Sequence, residues 1–212
     1  MDENKNIQNI FEEVYKNINT KNFILAENNL SKILDIDQNN IKALFLLGSI
    51  FLQTGKLIKS KQYLEKVIEK DPNIANAYSN LGIVYIKLKE FIKAKKFLYK
   101  ALEINPTHLD AFNYLGIVYA ELDNFNKGLF NVKKSLELDK NYVPAYNNLG
   151  LIYKKFNYFD EAEIFFKKAI EINSKFTESH YNLMELFEKG NQNEKLLEAI
   201  NNFEKLFKPN PV

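Results

Sequence analysis

Apolar residues recur along this chain in clusters that repeat every 34 positions, and the pairs Leu47-Gly48, Leu81-Gly82, Leu115-Gly116 and Leu149-Gly150 mark the period. A strict period of that length means a stack of small similar units rather than one irregular core. With the glycine as position 8, units begin at Ile7, Ile41, Ala75, Leu109, Val143 and Thr177. Position 7 is leucine in five units, and position 11 is aromatic in the same five (Phe51, Tyr85, Tyr119, Tyr153, Phe187). Positions 4, 7, 8 and 11 fall on one face of a helix, which predicts a first helix, A, in every unit. A polar break follows, such as Thr54-Gly55-Lys56 or Asp123-Asn124. A second helix, B, then opens on a large apolar residue at position 17: Phe23, Leu57, Phe91, Phe125 or Phe159. Position 20 is small (Ala26, Ser60, Ala94, Gly128, Ala162). Small side chains at 8 and 20 let the two helices approach closely. Pro72 and Pro106 at position 32 stop helix B, with Asp37, Asp71 and Asp139 in the same turns.

The pattern predicts an all-α chain of antiparallel helix pairs. Residues 1–6 are assigned to an N-terminal extension and 7–210 to one array of six units: 7–40, 41–74, 75–108, 109–142, 143–176 and 177–210. The end units diverge. Val14 and Met184 stand where glycine is expected, and Leu196 occupies position 20 of the last unit. Terminal repeats face water on one side, so divergent ends fit capping units.

These residues resemble the tetratricopeptide repeat family, whose pattern is aromatic at 4, Leu-Gly at 7–8, Tyr at 11, Ala at 20, aromatic or Leu at 24, Ala at 27 and Pro at 32. The unit 75–108 satisfies all of it with Tyr78, Leu81-Gly82, Tyr85, Ala94, Leu98, Ala101 and Pro106. The unit 143–176 departs only at Ser174, in the proline position. The resemblance implies a right-handed superhelical solenoid, non-enzymatic, that binds a peptide or helix of another protein. It also implies that helix A lines the concave groove. Carried over on that basis, the candidate ligand-binding residues are Phe45, Leu46, Asn80, Ile83, Asn113, Tyr114, Ile117, Asn147, Asn148, Leu151 and Asn182. A primary amide offers donor and acceptor together and can pair with peptide backbone whatever the ligand side chain. Each such bond adds about 0.5–1.5 kcal/mol net, so apolar help is needed, and Ile83, Ile117 and Leu151 are placed to give it. A similar asparagine ladder grips peptide backbone in the repeat region of the O-linked N-acetylglucosamine transferases. Composition offers the other reading, because 29 of the 212 residues are Asn.

The family's chaperone-binding members use Lys, Asn, Asn, Lys and Arg at positions 5, 9, 6, 2 and 6 of three successive repeats. From Ile7 onward the corresponding residues are Phe11, Tyr15, Leu46, Asn76 and Asn80. No cation stands ready for a terminal carboxylate, which argues against an EEVD-type tail.

Composition narrows the chemistry. Cysteine is absent and the two histidines, His108 and His180, are far apart, so neither a metal site nor a cofactor is expected. No constellation suggests catalysis. All 29 basic residues are lysines and the net charge is +2. Lys recurs at position 26 (Lys32, Lys66, Lys100, Lys134, Lys168), but an acid follows three residues later each time, so the stripe is locally neutralised. That argues against nucleic-acid binding, which needs uncompensated charge. The polar start, Met1 to Asn6, is unlike a secretory leader, and the longest apolar run, Ala43 to Leu52, is too short to span a bilayer. The expectation is a cytoplasmic protein. Two further function classes stay open: a scaffold that assembles homo-oligomers through its terminal repeats, and an RNA-associated helical repeat.

Overall fold

The computed structural model describes residues 2–207, so positions 208–210 of the last unit lie outside the described residues. Among the described residues twelve helices pack as consecutive antiparallel pairs. The A helices are α1 (Asp2–Asn19), α3 (Ile41–Gln53), α5 (Ala75–Lys87), α7 (Leu109–Glu121), α9 (Val143–Lys155) and α11 (Thr177–Lys189). The B helices are α2 (Phe23–Ile36), α4 (Leu57–Lys70), α6 (Phe91–Ile104), α8 (Phe125–Leu138), α10 (Phe159–Ile172) and α12 (Asn193–Phe207). Helix α1 begins at Asp2, inside the segment 1–6. Among the described residues no helix is long and apolar enough to cross a membrane.

The chain forms two compact units, divided between Ala111 and Phe112 within α7. In the first unit, Leu30, Ile33, Ala43, Leu47 and Ile50 join α2 to α3 in one core beneath Phe11 and Val14 of α1. In the second, one cluster gathers Val132, Ala145, Leu149 and Ile152, and another gathers Ala162, Phe166, Leu183, Leu186 and Phe187.

Position 8 governs how closely A and B approach. A methyl added at Gly116 would lie 2.2 Å from Val132 Cγ2 and 2.9 Å from the backbone oxygen of Gly128. At Gly150 it would lie 2.5 Å from the Phe166 ring. The pair with glycine at both 8 and 20 brings backbone against backbone, and it carries the small Val132 at position 24 where Leu64, Leu98 and Phe166 stand in other units.

The turns repeat as strictly as the helices. Position 15 has positive φ in all six units: Lys21, Gly55, Lys89, Asp123, Asn157 and Asn191. The next residue donates its N–H five residues back, as from Lys56 to Phe51 (2.8 Å) and from Glu90 to Tyr85 (2.8 Å). This is the Schellman closure, which satisfies the last carbonyls of helix A. At the B-to-A junctions Asp37, Asp71, Asn105, Asp139 and Asn173 each accept the backbone N–H two residues on at 2.9–3.1 Å. These Asx turns explain why position 31 is always Asp or Asn there.

Candidate functional site

The asparagines predicted to face a ligand are engaged with one another. In the second unit Asn148 Nδ2 donates to Asn113 Oδ1 (3.0 Å), and Asn182 Nδ2 donates to Asn147 Oδ1 (2.8 Å). Each bond runs from position 6 of one A helix to position 5 of the A helix before it. Asn147 Oδ1 also accepts from Ser179 Oγ at 3.0 Å. In the first unit the Phe45 side chain at position 5 has no acceptor, and Asn80 Nδ2 turns instead to Ser49 Oγ (3.0 Å). Asn113, Asn147 and Asn148 are buried, and Nδ2 of Asn113 has no hydrogen-bond partner.

The ladder is therefore a set of struts between neighbouring A helices. A primary amide has two N–H donors and two carbonyl lone pairs, so one internal bond orients the group and still leaves it capacity. Around the struts Phe45, Leu46, Asn80 and Ile83 are half-buried in the first unit, as are Tyr114, Ile117, Leu151 and Asn182 in the second. Next to Asn182, Tyr181 at position 5 is 58% exposed and packs on Phe203 of α12 (5.3 Å between centroids).

A charged triplet borders this face. Glu185 binds Lys189 (2.6 Å) and Lys154 (2.9 Å), and these two bonds hold its carboxyl down at about 2. The lysine stripe of the B helices, expected to be neutralised at all five positions, closes three of the pairs: Lys100–Glu103, Lys134–Glu137 and Lys168–Glu171, at 2.6–3.0 Å. Lys32 turns to Asn29 instead, and Lys66 lies over Tyr63.

Both histidines are structural. His180 is buried, bonds the carbonyl of Ser174 (2.9 Å) and meets Phe203 edge-on. His108 caps α7. Its Nδ1 accepts the Ala111 N–H (3.2 Å), so the proton sits on Nε2, which donates to Asn76 Oδ1 (2.8 Å). Burial lowers the pKa of His108 from 6.5, against an opposing pull from Asp110. The neutral ring belongs to the folded state, so between its lowered pKa and 6.5 the unfolded chain binds more protons. We expect stability to be flat above neutrality and to fall as pH drops through that window. His108→Asn keeps a capping acceptor and should remove the slope, as measured by urea denaturation against pH; an unchanged slope would rule out the cap. Among the described residues no group of three His, Asp or Glu side chains is placed to hold a metal.

Comparison with known families decides the assignment. One tetratricopeptide repeat model matches residues 75–108, and a second matches 41–74 and 143–176. The chain belongs to the tetratricopeptide repeat family. Tetratricopeptide repeats generally serve protein–protein interaction and are typically non-catalytic. Among solved structures the crystal structure of the MamA protein is 28% identical, covering 80% of this chain and 92% of that one with a TM-score of 0.60. TTC0263, a thermophilic tetratricopeptide repeat protein of Thermus thermophilus, is 19% identical over 85% of this chain and 98% of that one (TM-score 0.76). YrrB, a tetratricopeptide repeat protein with an unusual peptide-binding site, is 22% identical over 85% and 93% (TM-score 0.53). The last two show the fold alone. No curated protein matches the chain.

Proposed function

We propose that this tetratricopeptide repeat protein is a non-catalytic module that binds a peptide or helix of another protein on its A-helix face. In the second unit the ligand lies across Leu151 and Asn182, with Tyr114 and Ile117 beside them, while the buried Asn147 and Asn148 hold the frame. The observation that carries this reading is the strut geometry: amides held in fixed orientation by their neighbours lose little side-chain entropy on binding. Ile117 and Leu151, half-buried between the struts, supply apolar area to a ligand whose backbone the amides meet. In the first unit the same roles fall to Phe45, Leu46, Asn80 and Ile83.

The test is affinity capture from the source cells with the natural chain and with an Ile117→Lys/Leu151→Lys variant whose helicity is checked by circular dichroism. The variant should lose the captured protein by at least about tenfold, since each buried lysine replaces a gain of roughly 1.5–3 kcal/mol with a desolvation cost. Equal capture by both would move the binding site elsewhere.

A second reading, self-association through the terminal repeats, draws on α12, where Leu197 and Leu206 are 61% and 43% exposed. Against it stands Glu204. Position 28 is apolar in the five preceding units (Leu34, Ile68, Leu102, Leu136, Ile170), and a further helix stacked on α12 would have to cover that carboxylate.

A further inference from the structure

Charge is unevenly placed along the chain. Residues 41–104, all in the first unit, hold 12 lysines against five acids, while the rest of the chain holds 17 against 22. The excess gathers where α4 and α6 open: residues 54–64 and 87–96 carry eight lysines and one acid, Glu90. Lys93 pairs with Glu90, and Lys56 with Glu27 of α2, so six positive charges remain in excess. Lys59 lies over the Phe51 ring and Lys93 over the Tyr85 ring, each at 5.5 Å, contacts that steer the ammonium groups without cancelling their charge. The other acids of these helices, Glu65, Glu69 and Glu103, stand two to three turns further on. A helix N-terminus carries positive partial charge, so the fold gains nothing from lysines there. Where α10 and α12 open, the chain uses acids instead: Asp160, Glu161 and Glu194.

Aliphatic side chains stand among these lysines. Position 18, the second residue of each B helix, is isoleucine in three successive repeats, and Ile24, Ile58 and Ile92 are 74%, 59% and 64% exposed. In the three repeats that follow it is Asn126, Asp160 and Glu194. Uncompensated basic charge with protruding alkyl groups is the chemistry that meets anionic lipid: the alkyl groups enter the boundary between headgroups and chains, and the ammonium groups sit among the phosphates. A single-stranded nucleic acid asks for exposed rings on which bases stack, and the rings beneath these lysines, Phe51 and Tyr85, are buried. A folded acidic protein would have to offer each isoleucine its own hollow, whereas a fluid bilayer surface admits them without one. We infer that the opening ends of α2, α4 and α6 dock on an anionic phospholipid surface, with Ile24, Ile58 and Ile92 inserted and Lys59, Lys61, Lys89 and Lys96 among the headgroups. The contact is peripheral and uses no residue of the A-helix site.

Flotation with phosphatidylcholine vesicles and with phosphatidylcholine–phosphatidylserine vesicles tests it. The natural chain should float with the mixed vesicles at low salt, come off as salt rises, and stay behind with phosphatidylcholine alone. Ile58→Asn/Ile92→Asn changes no charge and installs the residue that Asn126 already supplies at position 18, so it should fold and need at least about tenfold more lipid. Lys59→Glu/Lys96→Glu should lose as much, with acids that Glu161 and Glu198 already supply at positions 19 and 22. Lys140→Glu/Lys175→Glu makes the same change of net charge in the second unit and should bind like the natural chain. Circular dichroism checks the helicity of each. A natural chain that does not float overturns the inference. So does an isoleucine variant that floats equally well, or a Lys140/Lys175 variant that loses as much as the Lys59/Lys96 one. Retention on polyuridylate or polyglutamate by a chain that ignores the vesicles assigns the edge to another anion and equally overturns it. Ile117→Lys/Leu151→Lys should still float, so this inference and the A-helix-face reading fail separately.

Discussion

Phe166→Ala should cost about 3–5 kcal/mol, among the largest effects of any single truncation in the second unit. Phe166 has no exposed surface and is the largest fully buried side chain among the described residues. Its ring fills the space left by the missing side chain of Gly150, with ring atoms 2.5–2.9 Å from where a Cβ would stand. It also packs with Leu183, Leu186 and Phe187, so removing it opens a hole that three helices share. Rigid helices collapse into such a hole only in part, which adds a cavity cost to the lost transfer energy. Denaturation followed by circular dichroism measures the loss, and a cost under about 1 kcal/mol would mean that position 24 does not bear the packing. A sharper outcome follows from the glycine. In the natural chain Gly150→Ala drives a methyl into the ring and should destabilise. In the Phe166→Ala background the same change fills part of the void and gains helix propensity, about 0.5–1 kcal/mol, so its sign should reverse.

The close approach behind that coupling was legible in the sequence, but that position 8 meets position 24 was not. The Leu-Gly period and the small residues at position 20 give the close approach of A and B, and hydrophobic spacing alone gives the helix pairs. Other features resist such reading for physical reasons. Lys21 and Lys89 adopt positive φ although lysine has no preference for it. Their conformation is imposed by the Schellman closure that the other units reach with Gly, Asp or Asn. The amide pairing is hidden differently. Asn148 and Asn113 are 35 residues apart, and they meet only because successive A helices stand side by side in register. A sequence signal for it does exist: asparagine at position 5 followed by asparagine at position 6 of the next unit, as in 113/148 and 147/182. Phe45 before Asn80 breaks that rule, and there the bond shifts to Ser49. The exposed isoleucines Ile24, Ile58 and Ile92 were equally readable as letters. Their exposure was not, because it depends on which face of helix B is left uncovered.

The second large effect falls on Asn147, where the site and the fold share one atom. Asn147 Oδ1 accepts from both Ser179 Oγ and Asn182 Nδ2. Asn147→Ala removes the acceptor and leaves two donors without a partner. Ser179 is fully buried and cannot turn to water, whereas Asn182 is half-buried and recovers part of its loss. An unsatisfied buried polar group costs about 1–3 kcal/mol, so the variant should lose about 2–4 kcal/mol. Asn182→Ala, by contrast, removes one of two donors and leaves Asn147 still bonded to Ser179, at a cost of roughly 0.5–1.5 kcal/mol. The ratio of these two losses, read from denaturation midpoints, separates strut from ligand contact. If both variants cost the same small amount, the amides are not structural and the internal bonds are incidental. With the expected asymmetry, Asn182→Ala becomes the right probe of ligand binding, since it alters a half-buried amide without taking apart the contact between α9 and α11. Loss of ligand by that variant then reports on the A-helix face, and loss by Asn147→Ala reports on folding as well.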